Sequence, residues 1–359
     1  MRNACQVTLF ETDLAKPVFE VKKIPGQWQR PKARTLSLAF SAADQALAEA
    51  GLLEDTGSLR VGVCLGTTVA SQLNDFDYYR TYRSEGSAPM DAVKRYLSGN
   101  LSSAVAQQFS LSGPTLTIVN ACSSGTDAIG AALSWLRADL CDIALAGGAD
   151  ELNRVPYAGF NALTLLSDDL CAPFDRNRKG MNLGEGAGMV VLEKAGSAVR
   201  RGVQSNLFCS GYGTIADAYH LTAPRPDGSG LEKAIRKAVA DAGISPDTIG
   251  FINAHGTATV SNDQVEGAVL ARVFGSGCRV YSTKGFTGHT LGAAGGLEAV
   301  FTALALREGW ISGCVGLTET DPDIPLAPAI EPNRIQCSHA LSTSLAFGGN
   351  NSALVLGRF

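Results

Sequence analysis

An α/β fold built from two similar halves is what this sequence predicts, on three observations. Short β-branched runs, such as residues 60–65 and 249–253, alternate with longer segments whose apolar residues recur at helical spacing, such as 35–50 and 231–242. That alternation belongs to layered α/β sheets rather than to bundles or sandwiches. The pattern is run through twice, once up to about Lys194 and again from Leu207, which predicts an internal duplication with halves at 1–198 and 199–359. At 359 residues, 45% hydrophobic and 18% charged, the chain can bury one large core or two fused ones.

In chain order, residues 6–10 read as a short strand and Ile24-Pro25-Gly26 as a turn. Arg30, Lys32 and Arg34 lead a helix over 35–50 whose apolar face is Leu36, Ala39, Phe40, Ala43, Leu47 and Ala48. Residues 60–65 form a buried strand ending at Gly66-Thr67-Thr68, residues 76–83 a surface excursion, and 99–109 a helix. In the stretch LTIVNACSSGTDAIGAALSWL, a buried strand over 116–119 passes through small residues into a helix over 126–136, leaving Cys122 at the helix start. The dipole and unpaired N–H groups there favour a thiolate.

A strand at 143–146 and an irregular region holding Phe160 precede 172–188, APFDRNRKGMNLGEGAG. Its last glycines tempt a phosphate-loop reading. They precede the strand MVVLEK, however, whereas a phosphate cradle follows a strand and opens a helix. The second pass has strands at 207–213, 249–253 and 280–282, and helices at 231–242, 262–274 (capped by Asn262 or Asp263) and 291–306. Strands at 340–346 and 352–356 close it.

Composition narrows the function. A net charge of −4 and a pI near 5.7 lack the basic field of a nucleic-acid or anionic-membrane binder. No apolar run nears the roughly 20 residues of a spanning helix, and Met1-Arg2-Asn3-Ala4 opens no signal-like core. A cytoplasmic protein, with neither nucleic acid nor membrane as partner, is expected. Nine cysteines are scattered without a CxxC pair or local histidine, which argues against zinc and against a disulfide framework.

Cys122 alone reads more readily as a buried core cysteine. Its weight comes from His255, in Asn253-Ala254-His255-Gly256-Thr257-Ala258-Thr259, and from His289, which ends STKGFTGH. Both follow strands in small-residue loops, where open α/β sheets build sites; His220 and His339 do not. A protease-like pair would use one histidine with an orienting Asn or Asp, leaving the second histidine and Lys284 over. The set suits a nucleophile that carries an acyl group while two neutral imidazoles hydrogen-bond a developing enolate and backbone N–H groups hold an oxyanion. That is carbon–carbon bond formation by acyl transfer.

From about Lys32 to Phe359 the chain resembles the elongating β-ketoacyl-acyl carrier protein synthases (synthase I/II) and the ketosynthases of type II polyketide systems. Four motifs carry the resemblance: Asn120-Ala121-Cys122-Ser123-Ser124-Gly125, the loop 253–259, the loop 282–289 with Leu291-Gly292-Ala293-Ala294-Gly295 after it, and Phe347-Gly348-Gly349-Asn350-Asn351. Thiolases share the fold but carry a second reactive cysteine and different histidine loops. The resemblance implies a thiolase-like fold, two halves each with a five-stranded mixed sheet, stacked as α-β-α-β-α layers.

It also implies an acyltransferase that performs decarboxylative Claisen condensation. Cys122 resembles the nucleophile that takes an acyl chain from the phosphopantetheine of acyl carrier protein. His255 and His289 resemble the pair that binds the malonyl thioester and promotes loss of CO₂. No permanently bound cofactor or metal is implied. Lys284 resembles the lysine beside the second histidine, and Glu298 the acid that supports it; a structural ion pair is the competing reading. Phe347 resembles the gating aromatic whose N–H, with that of Cys122, makes the oxyanion hole. Thr257 and Thr259 resemble residues that contact pantetheine or malonyl. Phe160 and Leu101 resemble acyl-pocket lining, Leu101 across a dimer interface, although each alone reads as core. Arg30, Lys32 and Arg34 would receive the acidic carrier protein. The implied assembly is a homodimer, or a heterodimer with a related ketosynthase or chain-length subunit. The alternative is that this chain is itself the non-catalytic chain-length-setting subunit, a type that usually loses the cysteine kept here.

Four departures stand out. The family's opening strand and helix are missing here or replaced by residues 1–28, which puts the edge of the first sheet and part of the dimer surface in question; Leu345 stands where Phe is common, and Asn350 where Thr is common. Asp127 brings a negative charge into the first turns of the nucleophile helix, where it disfavours a thiolate. The shortened opening and Asn350-Asn351 lean towards a type II polyketide or polyene pathway over fatty-acid synthesis.

Overall fold

The computed structural model describes residues 3–54, 57–69, 76–91, 93–94 and 100–359. Residues 6–10 are not a strand. Cys5 bridges Val18, and Thr8 donates through both its N–H and its hydroxyl to Glu20 (2.6 Å each), so a side chain rather than a ladder holds this segment. The first strand is β1 (Val18–Phe19). Helix α1 (Arg34–Glu49) then buries Ala39, Phe40, Ala43 and Leu47 in one core with Val61, Val63 and Leu65 of the strand β2 (Val61–Gly66).

The excursion expected at 76–83 is a helix, α2 (Phe76–Glu85), whose i,i+4 pair Tyr78 and Tyr82 stack at 6.2 Å. Helix α3 (Leu101–Gln108) is capped by Asn100, which accepts from the Ser103 N–H; residue 99, the expected start, lies outside the described residues. Next come β3 (Thr115–Ile118), α4 (Ser124–Arg137) and β4 (Ile143–Asp150). The region around Phe160 is also helical: α5 (Arg154–Ala162), capped by Asn153, with Pro156 in its first turn where it costs no internal bond. β5 (Leu183–Gly184), β6 (Gly186–Glu193) and α6 (Ala195–Arg200) complete this half.

The second half runs β7 (Leu207–Ala216), α7 (Ser229–Asp241), β8 (Ile249–Asn253), α8 (Val260–Phe274), β9 (Val280–Tyr281), α9 (Lys284–Thr287) and α10 (Ala294–Glu308). A small ribbon, β10 (Trp310–Ile311) with β11 (Asn333–Arg334), precedes β12 (His339–Ala346) and β13 (Asn350–Arg358).

The duplication is visible in topology. The first sheet has the order β3-β2-β4-β6, three parallel strands and then an antiparallel one. The second repeats it as β9-β8-β12-β13 and adds β7 antiparallel to β13. Among the described residues the first sheet therefore has four strands, not the expected five. Among those residues the only strand ahead of α1, β1, pairs with β5 instead and leaves the outer side of β6 open. β3 is likewise an edge strand and half exposed, not buried as expected.

Helices α4 and α10 lie between the two sheets, α1 covers the outer face of the first, and α7 that of the second. A helix packed on both sides needs apolar or small residues nearly all round. In α4, Ser124 through Gly130, Ala132, Leu133 and Leu136 are all buried. Where α4 meets α10, a Cβ on Gly125 would stand 2.7 Å from the Gly296 nitrogen, so only glycine admits the contact.

Candidate active site

The pseudo-symmetric layering brings the starts of both central helices to one place. After β3 the chain turns through Asn120, Ala121 and Cys122 into α4. Ala121 has φ +48°, a strained value for a residue with a Cβ. Ser124 holds the turn, its Oγ accepting from the Asn120 N–H (2.8 Å) and donating to the Ala121 carbonyl (2.6 Å). Cys122 is 4% exposed. Burial pushes its thiol up to about 12, while the Lys284 charge and a hydrogen bond from the Phe347 N–H pull it down by less. The expected thiolate is thus corrected to a resting thiol, because desolvation outweighs both.

His255 follows β8, and Glu266, on the first turns of α8, holds its loop by accepting from the N–H groups of His255 and Gly256 (2.8 Å each) and from the Thr343 hydroxyl (2.7 Å). Lys284 is buried and spends its three protons on the His255 carbonyl (2.5 Å), His255 Nδ1 (3.3 Å) and Glu298. An ammonium can only donate, so Nδ1 accepts and the imidazole proton sits on Nε2. Lys284 is therefore hydrogen-bonded to the first histidine, and its charge reaches both.

His289 is fixed by its backbone, donating to the Asn182 carbonyl (2.8 Å) and accepting from the Gly184 N–H (3.0 Å). Its buried Nδ1 has no partner among the described residues. The two imidazoles meet edge to face at 5.1 Å. Burial first, and then Lys284, hold both well below the usual histidine range, so both are neutral.

Cys122, His255, His289, Thr257, Thr259, Phe160, Leu345 and Phe347 line one pocket of about 50 Å³. It is small because the Phe347 ring stacks on Phe160 at 5.1 Å, and Phe347 stands on a turn whose Gly348 and Gly349 have φ +84° and +78°. Thr257 and Thr259 share a hydrogen bond of 2.9 Å. Leu101 does not join them; it packs with Val63 and Val105 in the core of the first half. Arg34 is not free for a partner either: it is bidentate to Glu185 (2.5 and 2.7 Å) and also donates to the Val21 carbonyl.

Two supporting carboxylates escaped the sequence reading, Glu266 and Asp263. Asp263 sits within α8 rather than capping it, Thr259 being the N-cap, and it accepts from the N–H groups of Phe174 (2.8 Å) and Ala258 (3.2 Å). Their spacing on one helix face directly behind a histidine loop is the signal that could have found them. Neutral imidazole donors around a buried thiol that takes the Phe347 N–H are equipped to stabilise an enolate and a tetrahedral oxyanion.

Residues 29–198 match the family model described as Beta-ketoacyl synthase, N-terminal domain, and residues 208–318 its C-terminal domain. The chain is 35% identical over 341 residues to a 3-oxoacyl-[acyl-carrier-protein] synthase 2 of Staphylococcus aureus (strain N315), covering 91% of this chain and 82% of that protein. Among solved structures, the ishigamide ketosynthase/chain length factor is similar at TM-score 0.93 and 34% identity, over 100% of this chain and 92% of the other. The AntDE:AntF complex, a type II PKS acyl-carrier protein with its ketosynthase bound to the hexaketide, is similar at TM-score 0.91 and 26% identity, over the same shares. Among the described residues no helix is long and apolar enough to cross a membrane.

Proposed function

The chain belongs to the β-ketoacyl synthase family, and from that premise we propose that it joins a Cys122-bound acyl chain to malonyl-acyl carrier protein with loss of CO₂. The observation that carries this reading is the convergence of Cys122, His255 and His289 on one pocket, with the Phe347 N–H directed at the Cys122 sulfur. A chain-length-setting role without chemistry would not require that constellation. The two halves meet, on this reading, near residue 198, within α6.

Loading exchanges one thioester for another. The Cys122 sulfur bonds to the acyl carbon, the bond to the phosphopantetheine sulfur breaks, and the thiol proton leaves with the departing thiol. A high thiol pKa therefore does not block a step that is neutral in protons. Malonyl thioester then loses CO₂, and the bonding electrons pass to an enolate oxygen that His255 Nε2–H and His289 hydrogen-bond without protonating. The enolate carbon attacks the Cys122 thioester. The N–H groups of Cys122 and Phe347 hold the oxyanion, and the expelled thiolate takes up a proton to restore the resting thiol.

Two variants divide these steps. Cys122→Ala abolishes acyl-enzyme formation by intact-mass spectrometry with an acyl-carrier donor; a mass increment that persists places the nucleophile elsewhere. His289→Ala retains that increment but loses CO₂ release by about 100-fold or more, on the usual scale for removing one oxyanion donor; undiminished release refutes its role.

The carrier's phosphopantetheine supplies the substrate arm, and no bound cofactor takes part in these steps. Lys22, Lys23, Arg30 and Lys32 line a surface groove of about 1330 Å³ that suits an acidic carrier protein. Charge reversal of Lys22, Lys23 and Lys32 weakens carrier binding in calorimetry, and unchanged affinity returns the groove to a solvated surface. Likeness to the ishigamide and AntDE ketosynthases supports a type II polyketide or polyene pathway over fatty-acid synthesis.

A further inference from the structure

The two N–H groups assigned to the oxyanion hole stand on different halves of the molecule, Cys122 at the start of α4 and Phe347 on the turn between β12 and β13. Something must hold them in register. Asp127, 6% exposed, has both carboxylate oxygens engaged by side chains. Oδ2 accepts from Asn120 Nδ2 (2.6 Å) and Ser123 Oγ (2.8 Å), one residue on each side of the Ala121-Cys122 pair. Oδ1 accepts from the Tyr212 hydroxyl (2.7 Å) on β7 and from the Ser352 hydroxyl on β13. The neighbouring Thr126 shares a hydrogen bond of 2.8 Å with Ser344 on β12, and Ser344 and Ser352 are cross-strand partners on the two arms of the Phe347 turn.

We propose that Asp127 is a positioning residue that locks the Cys122 turn to the Phe347-bearing hairpin and so fixes the spacing of the oxyanion hole. One oxygen grips the nucleophile turn and the other grips the second half, while Thr126 takes the facing strand. A carboxylate suits the task because four donors converge on it and an amide could accept from only half of them. The charge that disfavours a Cys122 thiolate is thereby spent on geometry, in an enzyme whose resting thiol has no need of it.

This inference rests on the acyl-transfer reading above, and wild-type protein run in parallel separates the two. If the wild type forms no acyl-enzyme, that reading fails and this one falls with it. If it does, Asp127→Asn lowers kcat for acyl transfer from an acyl-carrier donor by about 10- to 100-fold with KM within about two-fold, the pattern of an interaction made only in the transition state. Alkylation of Cys122 by iodoacetamide and decarboxylation of malonyl carrier, which do not use this oxyanion hole, stay within about three-fold of wild type. Ser352→Ala leaves Asp127 three of its donors and cuts its tie to β13, along with the Ser352 contact to Thr214 on β7 (3.1 Å); its kcat falls by about 3- to 10-fold at unchanged KM, on the scale of one or two lost hydrogen bonds. Acyl-transfer kcat within three-fold of wild type in Asp127→Asn, or equal losses in all three readouts, overturns the proposal.

Discussion

At Cys122 burial outweighs the neighbouring cation, and its reactivity should show it. With the thiol pushed up to about 12, the thiolate fraction rises about tenfold per pH unit throughout the accessible range. The alkylation rate with iodoacetamide, followed by mass spectrometry of the Cys122 peptide, should climb with unit slope from pH 7 to 10. A plateau with a midpoint below pH 9 would show a stabilised thiolate instead. The histidines add no step, since burial and Lys284 keep both neutral across that range. Cys122, His255 and His289 were legible in the sequence because each follows a strand in a small-residue loop. Their settings were not. Glu266, Arg34 and the Lys284–His255 contact depend on partners brought together only by the fold, and the thiol's state depends on solvent exclusion, which no local spacing encodes.

Helix α4 carries the nucleophile, and its contact with α10 sets how far Cys122 stands from the loop that ends in His289. A Cβ on Gly125 would lie 2.7 Å from the Gly296 nitrogen and 2.9 Å from the Gly292 carbonyl oxygen, backbone atoms that cannot swing aside. Gly125→Ala should therefore destabilise by about 1–3 kcal/mol in urea unfolding and sharply reduce acyl-enzyme formation. Gly159→Ala is the control: it sits inside α5 with nothing within 4 Å, and helix propensity alone should make it neutral or stabilising by about 0.5–1 kcal/mol. Elements with strong periodicity, such as α1, α4, α7 and β8, were legible almost to their ends. The helices α2 and α5 were not, since aromatic and polar residues hide the first and Pro156 disguises the second. β3 reads as buried by composition alone; only the sheet order reveals it as an edge.

That edge bears on how whole molecules could meet. β3 offers an unpaired outer side among the described residues, with Leu116 43% and Val119 67% exposed and no charge between Thr115 and Val119. An uncharged, apolar edge strand invites pairing unless it is covered. The other open edge, at β6, borders a groove lined with Glu20, Lys23 and Glu49 and is the poorer template. A twofold contact through β3, strand against antiparallel strand, would join the two first sheets into one continuous sheet and bury both exposed side chains. Leu116→Arg with Val119→Arg should then shift the particle from twice the 37.4 kDa chain mass to the chain mass in size-exclusion chromatography with light scattering, leaving the thermal midpoint within a few degrees. If the wild-type chain alone is already monomeric, the same pair should abolish its co-purification with a related chain-length subunit. A double variant that still dimerises, or still binds that subunit, moves the interface away from β3, and the β6 edge becomes the next surface to block.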